Sequence, residues 1–200
     1  MLSDLGCWLI RLLCGATANW VGCAPERKQR IYFANHTSNL DFLVLWCALP
    51  ADVRAVTRPV AARDYWEKGR IRPFLTQRVF NALLIERRHV TRQSNPLPLL
   101  LAALEAGYSL IIFPEGGRSM DGTIKPFKSG IHHLTKRATG VEFIPAYLEN
   151  LNRILPKGEV LPVPLLASVT FGAPLEIIEG ELKVDFLQRA RAAVEALAQQ

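Results

Sequence analysis

Apolar residues in this chain fall into short runs bounded by turn formers, and their period shifts from one run to the next. Arg30-Ile31-Tyr32-Phe33-Ala34 is compact and apolar, which predicts a buried strand. The segment 39–48 is apolar nearly all round and predicts a helix buried on more than one side. Residues 53–61 predict a second strand, 63–77 a basic amphipathic helix, and 81–86 a third strand. Asn95-Pro96 starts a helix that stops at Gly107, with proline inside the first turn and glycine past the end. Ser109-Leu110-Ile111-Ile112, between Gly107 and Pro114, predicts another buried strand. Beyond it, 128–139 predicts a helix, 141–148 and 166–171 strands, and 181–198 a closing helix with Leu187, Ala190, Val194 and Leu197 on one face. This alternation, free of internal repeats and low-complexity linkers, predicts an α/β fold: a single domain with a mainly parallel central sheet flanked by helices.

The first 25 residues follow a different pattern. Leu2, Leu5, Trp8, Leu9, Leu12 and Leu13 recur at helical spacing, while Asp4, Arg11 and Gly15 share a narrow stripe. The stretch from Leu5 to Cys23 is almost long enough to span a bilayer, which takes about 20 apolar residues. Arg11 near its middle would cost roughly 2.5–3.5 kcal/mol there. The expectation is an N-terminal amphipathic membrane-facing helix over 1–25, lying in the interface with Glu26-Arg27-Lys28 back in water, and a folded domain over 26–200. A helix packed on the domain is the alternative.

Composition narrows the partners. Two hundred residues, half of them hydrophobic, suit one domain with a substantial core. A net charge of +6 favours anionic partners: phospholipid surfaces, phosphate-bearing substrates or nucleic acid. No recognition helix, RNA-binding strand motif or zinc finger supports the last of these. Cys7, Cys14, Cys23 and Cys47 lack Cys-x2-Cys spacing, which argues against a zinc site and a disulfide scaffold and fits a reducing compartment.

Two short motifs carry candidate chemistry. Asn35-His36-Thr37-Ser38-Asn39-Leu40-Asp41 places a histidine just past the first strand and an aspartate in the helix that follows. Imidazole is suited to taking a proton near neutral pH, and a carboxylate on its far nitrogen would fix the tautomer and stabilise the imidazolium. No Ser or Cys nucleophile is tied to the pair in sequence, so the pair would activate a hydroxyl of the substrate. Ser38 and Asp41 also fit a helix N-cap with an acidic third position, and the two roles are compatible. The second motif, Phe113-Pro114-Glu115-Gly116-Gly117-Arg118-Ser119, follows the 109–112 strand and would sit at its carboxyl end, where ligands bind in α/β sheets. Its glycines let backbone amides approach an anion, and Arg118 offers a planar fork for phosphate.

His-x4-Asp followed by Phe-Pro-Glu-Gly-x-Arg-Ser resembles the glycerophospholipid acyltransferase family, which includes the 1-acylglycerol-3-phosphate acyltransferases. Leu84-Ile85-Glu86-Arg87 and Val141-Glu142-Phe143-Ile144-Pro145-Ala146 are similar to two further blocks of that family, in the same order. The resemblance spans residues 30 to 150. It departs at Gly117, where the family usually has Thr, and at Glu86, where it usually has Asp.

The resemblance implies an O-acyltransferase that moves a fatty acyl group from acyl-CoA or acyl carrier protein to a lysophospholipid hydroxyl, with 1-acyl-sn-glycerol 3-phosphate as acceptor and phosphatidic acid as product. It implies that His36 and Asp41 are catalytic and that Arg87, Arg118 and Lys128 hold the acceptor's phosphate. Glu115 would organise the loop or the acceptor glycerol, and amides near Gly116 and Gly117 would meet the oxyanion. No metal or resident cofactor is implied. The expected place is the cytoplasmic face of a membrane, peripheral or monotopic. Glycerol 3-phosphate, another lysolipid, or a noncatalytic lipid-binding role are alternatives. Leu40, Leu43, Trp46 and Phe80 could line an acyl groove and are equally good core residues. Arg54, Arg58, Arg63, Lys68, Arg70, Arg72 and Arg78 could clamp lipid head groups or an acidic carrier, or form a solvated face.

Overall fold

The computed structural model describes residues 7–8, 16–38, 41–87, 94–119, 121–150 and 167–199. Strand β1 (Thr17–Trp20) is followed by β2 (Arg30–Ala34), helix α1 (Asp41–Ala48), a short α2 (Ala51–Ala55) and β3 (Thr57–Ala62). Next come the one-turn helices α3 (Arg63–Trp66) and α4 (Ile71–Phe74), a π-turn over Leu75–Val79, and β4 (Leu83–Ile85). Helix α5 (Leu97–Glu105), β5 (Ser109–Ile112), α6 (Gly130–Thr135), β6 (Glu142–Glu149), β7 (Ser168–Phe171) and α7 (Lys183–Ala196) complete the order.

The strands form one seven-stranded sheet in the order β1-β7-β6-β2-β5-β3-β4. Every neighbouring pair is parallel except β6 with β7. The α/β class and the mainly parallel sheet expected from the pattern are therefore observed. β2 lies at the centre, with Phe33 opposite Ile112 of β5 and Pro145 of β6. All five of its residues are buried, as a strand covered on both faces must be. Alternation sends Tyr32 and Ala34 into one apolar layer with α1, and Ile31 and Phe33 into the other with α5, α6 and α7.

Some elements differ from the sequence reading. Thr17–Trp20, inside the expected N-terminal helix, is a strand that pairs with Ser168–Phe171, and Trp20 stacks on Phe171 at 4.0 Å. The helical spacing of the leucines ends before this segment, and a sheet edge offered by β7 outweighs local preference. Cys7 and Trp8 are helical; residues 1–6 and 9–15 lie outside the described residues. Among the described residues no helix is long and apolar enough to cross a membrane.

The strand expected over 53–61 begins only at Thr57: residues 53–55 belong to the helical turn Ala51–Ala55 after Pro50, and Thr57 Oγ1 donates to the Val53 carbonyl at 2.7 Å. The helix expected over 63–77 is broken. Gly69 takes a positive φ of 76°, and Pro73 lacks the N–H that a continuous helix needs.

At the end of β2 the chain is anchored by a side chain. Buried Asn35 donates Nδ2 to the Leu148 carbonyl at 3.0 Å and accepts the Leu148 N–H at 2.8 Å. It acts as one more rung between β2 and β6, directly before His36. Asn35→Ala would leave both Leu148 backbone groups unpaired. The expected loss is about 2–4 kcal/mol in denaturant unfolding, since each buried orphan costs about 1–3 kcal/mol.

Candidate active site

Because β2, β5, β3 and β4 are adjacent and parallel, their carboxyl ends share one edge of the sheet. His36 follows β2, Phe113 follows β5, Asp64 lies just past β3, and Arg87 just past β4. Residues scattered along the chain thus meet where such sheets bind ligands.

His36 Nδ1 lies 2.7 Å from Asp41 Oδ2. The same oxygen accepts the backbone N–H of Thr37 at 2.6 Å and of Ser38 at 2.9 Å. Asp41 is fully buried, and His36 is 19% exposed. A carboxylate that accepts two N–H groups is an acceptor for the imidazole too. Nδ1 therefore carries the proton, and Nε2 keeps its lone pair as a base. Asp41 also opens α1, where the helix dipole favours its charge. The cap and the dyad are one arrangement: Asp41 reaches back to the Ser38 N–H as the acidic residue of a capping box does. The His36 ring stacks on Phe113 at 4.5 Å, which settles its other face.

The second motif braces the first. Glu115 is buried, and its Oε1 accepts the His36 backbone N–H at 2.8 Å while Oε2 accepts that of Lys125 at 3.2 Å. Burial pushes its pKa up, opposed by these two hydrogen bonds. Both oxygens are occupied by backbone, so Glu115 organises the loop. Ser119 N–H donates to the His36 carbonyl at 2.7 Å, closing the brace from the other side. The Ser119 hydroxyl donates to Asp121 at 2.7 Å and is committed there.

The paired glycines are not equivalent. Gly116 has φ of +68°, and a Cβ there would fall 2.5–2.7 Å from the end of the Lys128 side chain, which crosses over it. Its N–H is already donated to the Phe113 carbonyl at 3.1 Å. Gly117 has open space where a Cβ would stand, and its N–H has no partner among the described residues. Of the two amides expected to meet an oxyanion, Gly117 is the one available.

Two cavities flank His36. The larger, about 190 Å³, is mostly apolar: Val60, Ile85, Leu100, Ile112, Ile131 and Leu134 line it, with Arg87, Gly116, Gly117 and Lys128 at its polar end. The smaller, about 60 Å³, lies among Phe42, Tyr65, Trp66, Arg87, Phe113 and Arg118. With Arg87 and Arg118 both in its lining, it suits a small anionic group. His36 borders both. The structure therefore brings together every residue that the motifs singled out: His36, Asp41, Arg87, Glu115, Gly116, Gly117, Arg118 and Lys128.

The suggested groove residues are core. Trp46 and Phe80 are buried and meet edge-to-face at 5.2 Å; Leu43 packs against the same cluster, and Leu40 lies outside the described residues. The apolar lining comes instead from five elements: β3, β4, α5, β5 and α6. The basic stretch is not one face either. Arg54, Arg58 and Arg72 sit over the rings of Trp46, Tyr108 and Tyr65, and Arg63 is paired with Glu67. Sequence reasoning missed Asn35, Phe113 as a stacking partner, and Asp64, which contacts Arg87 at 3.1 Å. Asn35 and Phe113 stand inside the two motifs, and that adjacency was the available signal; Asp64 gave none.

The acyltransferase family model matches residues 23–149. The chain is 33% identical over 156 residues to a 1-acyl-sn-glycerol-3-phosphate acyltransferase of Limnanthes douglasii, covering 72% of this chain and 50% of that one. It is 32% identical over 169 residues to the enzyme of the same name from Limnanthes alba, covering 78% and 54%. The chain thus spans about half the length of these plant relatives. Its fold is similar to the crystal structure of the 1-acyl-sn-glycerophosphate (LPA) acyltransferase PlsC from Thermotoga maritima, with a TM-score of 0.72 and 22% identity over 99% of this chain and 79% of that one.

Glu115→Gln would turn an NH2 group towards one of the two backbone N–H donors. Unfolding free energy should fall by about 1–3 kcal/mol, read by denaturant titration. Gly116→Ala should be strained by its positive φ, at about 1 kcal/mol, and should push the Lys128 side chain aside. A crystal structure of the variant would show the displaced ammonium.

Proposed function

The chain belongs to the acyltransferase family, and on that premise we propose that it transfers a fatty acyl group from an acyl thioester to the free hydroxyl of a lysophospholipid. The acceptor we assign is 1-acyl-sn-glycerol 3-phosphate, giving phosphatidic acid. The donor is acyl-CoA or acyl carrier protein. The single observation that carries this reading is a histidine–carboxylate dyad set between an apolar cavity and a small arginine-walled one.

The chemistry follows from that geometry. His36 Nε2 takes the proton of the acceptor hydroxyl as its oxygen attacks the thioester carbonyl carbon. Asp41 holds Nδ1–H in place and stabilises the imidazolium. The carbonyl oxygen gains negative charge, and the Gly117 N–H is the donor placed to meet it. Collapse of the tetrahedral species breaks the carbon–sulfur bond, and the thiolate leaves with the proton that His36 carries. No acyl-enzyme is needed. The acyl chain lies in the apolar cavity, while Arg87 and Arg118 hold the phosphate in the small one, and Lys128 lies at the polar end of the larger. The glycerol bridges the two beside His36. Such a reaction belongs at a membrane, where both lipids reside. We place the chain on the cytoplasmic face, peripheral or monotopic, and its net charge of +6 favours an anionic surface.

The test is transfer from a labelled long-chain acyl-CoA, then from acyl carrier protein, to a panel of lysolipids. Transfer to 1-acyl-sn-glycerol 3-phosphate is expected, with kcat in His36→Ala lowered by about a hundredfold or more while the protein stays folded. Wild-type activity in that variant would remove the dyad from the mechanism. Arg118→Ala should raise the acceptor KM about tenfold, equivalent to ~1.4 kcal/mol, with little change in the donor KM.

A further inference from the structure

We propose that Asp64 is a positioning residue for the acceptor's phosphate, acting through Arg87; this rests on the acyltransferase reading. β3 and β4 are parallel with Ala62 opposite Ile85, so Asp64 and Arg87 each leave the sheet two residues past a paired position. They meet side-on. Arg87 Nη2 donates to Asp64 Oδ2 at 3.2 Å, and Nε stands 3.1 Å from Oδ1. The pair is half-buried, with side chains 30% and 25% exposed.

This engagement uses one edge of the guanidinium and leaves Nη1 without a partner among the described residues. Arg87 borders both cavities, so the uncommitted edge belongs to the site. An arginine side chain otherwise carries considerable rotamer entropy, part of which a ligand would have to overcome. A carboxylate held by the Nη2 hydrogen bond, with Nε beside it as an ion pair, restricts the side chain during folding and orients the fork for a phosphate. Asp64 also offsets the charge of Arg87. Arg118, across the smaller cavity, has no carboxylate partner among the described residues and supplies the uncompensated charge. Arg87 then gives direction and Arg118 gives attraction.

The experiment is steady-state kinetics of Asp64→Asn, Arg87→Ala and the double variant, with Glu67→Gln as the control that breaks the exposed Arg63 pair on the adjoining turn. Asp64→Asn should raise the acceptor KM about tenfold, with kcat and the donor KM within about twofold of wild type. The double variant should be no worse than Arg87→Ala alone, and Glu67→Gln should match wild type. An unchanged acceptor KM, additive losses in the double variant, or a fall in kcat together with Tm would each overturn the proposal. If the protein moves no acyl group at all, the acyltransferase reading fails by itself. Calorimetric titration with sn-glycerol 3-phosphate then decides the role of Asp64. Binding weakened about tenfold in Asp64→Asn would support it, while equal affinities, or no binding by wild type, would overturn it.

Discussion

One carboxylate oxygen organises the candidate active-site edge of this molecule. Asp41 Oδ2 accepts from the His36 ring and from the Thr37 and Ser38 backbone, so a single buried atom fixes the imidazole, shapes the turn and opens the helix. None of the three contacts could shift without disturbing the others. A buried carboxylate is costly unless such donors surround it, and the positive end of α1 adds to them. The imidazole proposed as the base is therefore preorganised by the same interactions that start the helix.

The remaining constraint is topological. Parallel neighbours bring the carboxyl ends of β2, β5, β3 and β4 to one edge, and each end contributes a different group: base, brace, carboxylate and arginine. Glu115 ties the β5 loop to the β2 loop through the His36 N–H, a hydrogen bond that opposes the upward push of burial on its pKa. Asn35 ties the β2 end to β6 from the other side. The histidine is thus held by its ring and by its backbone on both flanks. What it faces is divided, with apolar volume on one side and arginines on the other, which suits a reaction that joins a hydrocarbon chain to a phosphate-bearing glycerol.

Much of this was legible in the residues. The buried strands at 30–34 and 109–112 declared themselves through dense apolar runs between turn formers, and both stand as expected. The histidine, the aspartate and the Pro-Glu-Gly-Gly-Arg loop could be picked out from their chemistry and spacing, whereas Arg87 was found only through the family resemblance of its block. The errors have physical causes. Thr17–Trp20 is a strand because β7 supplies a partner edge, and a pattern read along one segment cannot see that edge. Val53 pointed to a strand, yet Pro50 and the Thr57 hydroxyl hold 51–55 in a helical turn. Trp46 and Phe80 fit a groove and a core equally well in sequence, and packing chose the core.

The sequence by itself determined the class of fold, the two motifs and the residues able to carry acid–base chemistry and bind an anion, because those depend on residue type and local spacing. Only the tertiary structure decided how they are used. It showed that both Glu115 oxygens serve the backbone, that a side chain at Gly116 would be strained and would displace Lys128 while one at Gly117 would find open space, and that Asp64 stands against Arg87. It also assembled the apolar cavity from Val60, Ile85, Leu100, Ile112, Ile131 and Leu134, which share no local pattern. The reason is that these are relations across strands and helices distant in the chain. They come into being only when the sheet sets its order and register.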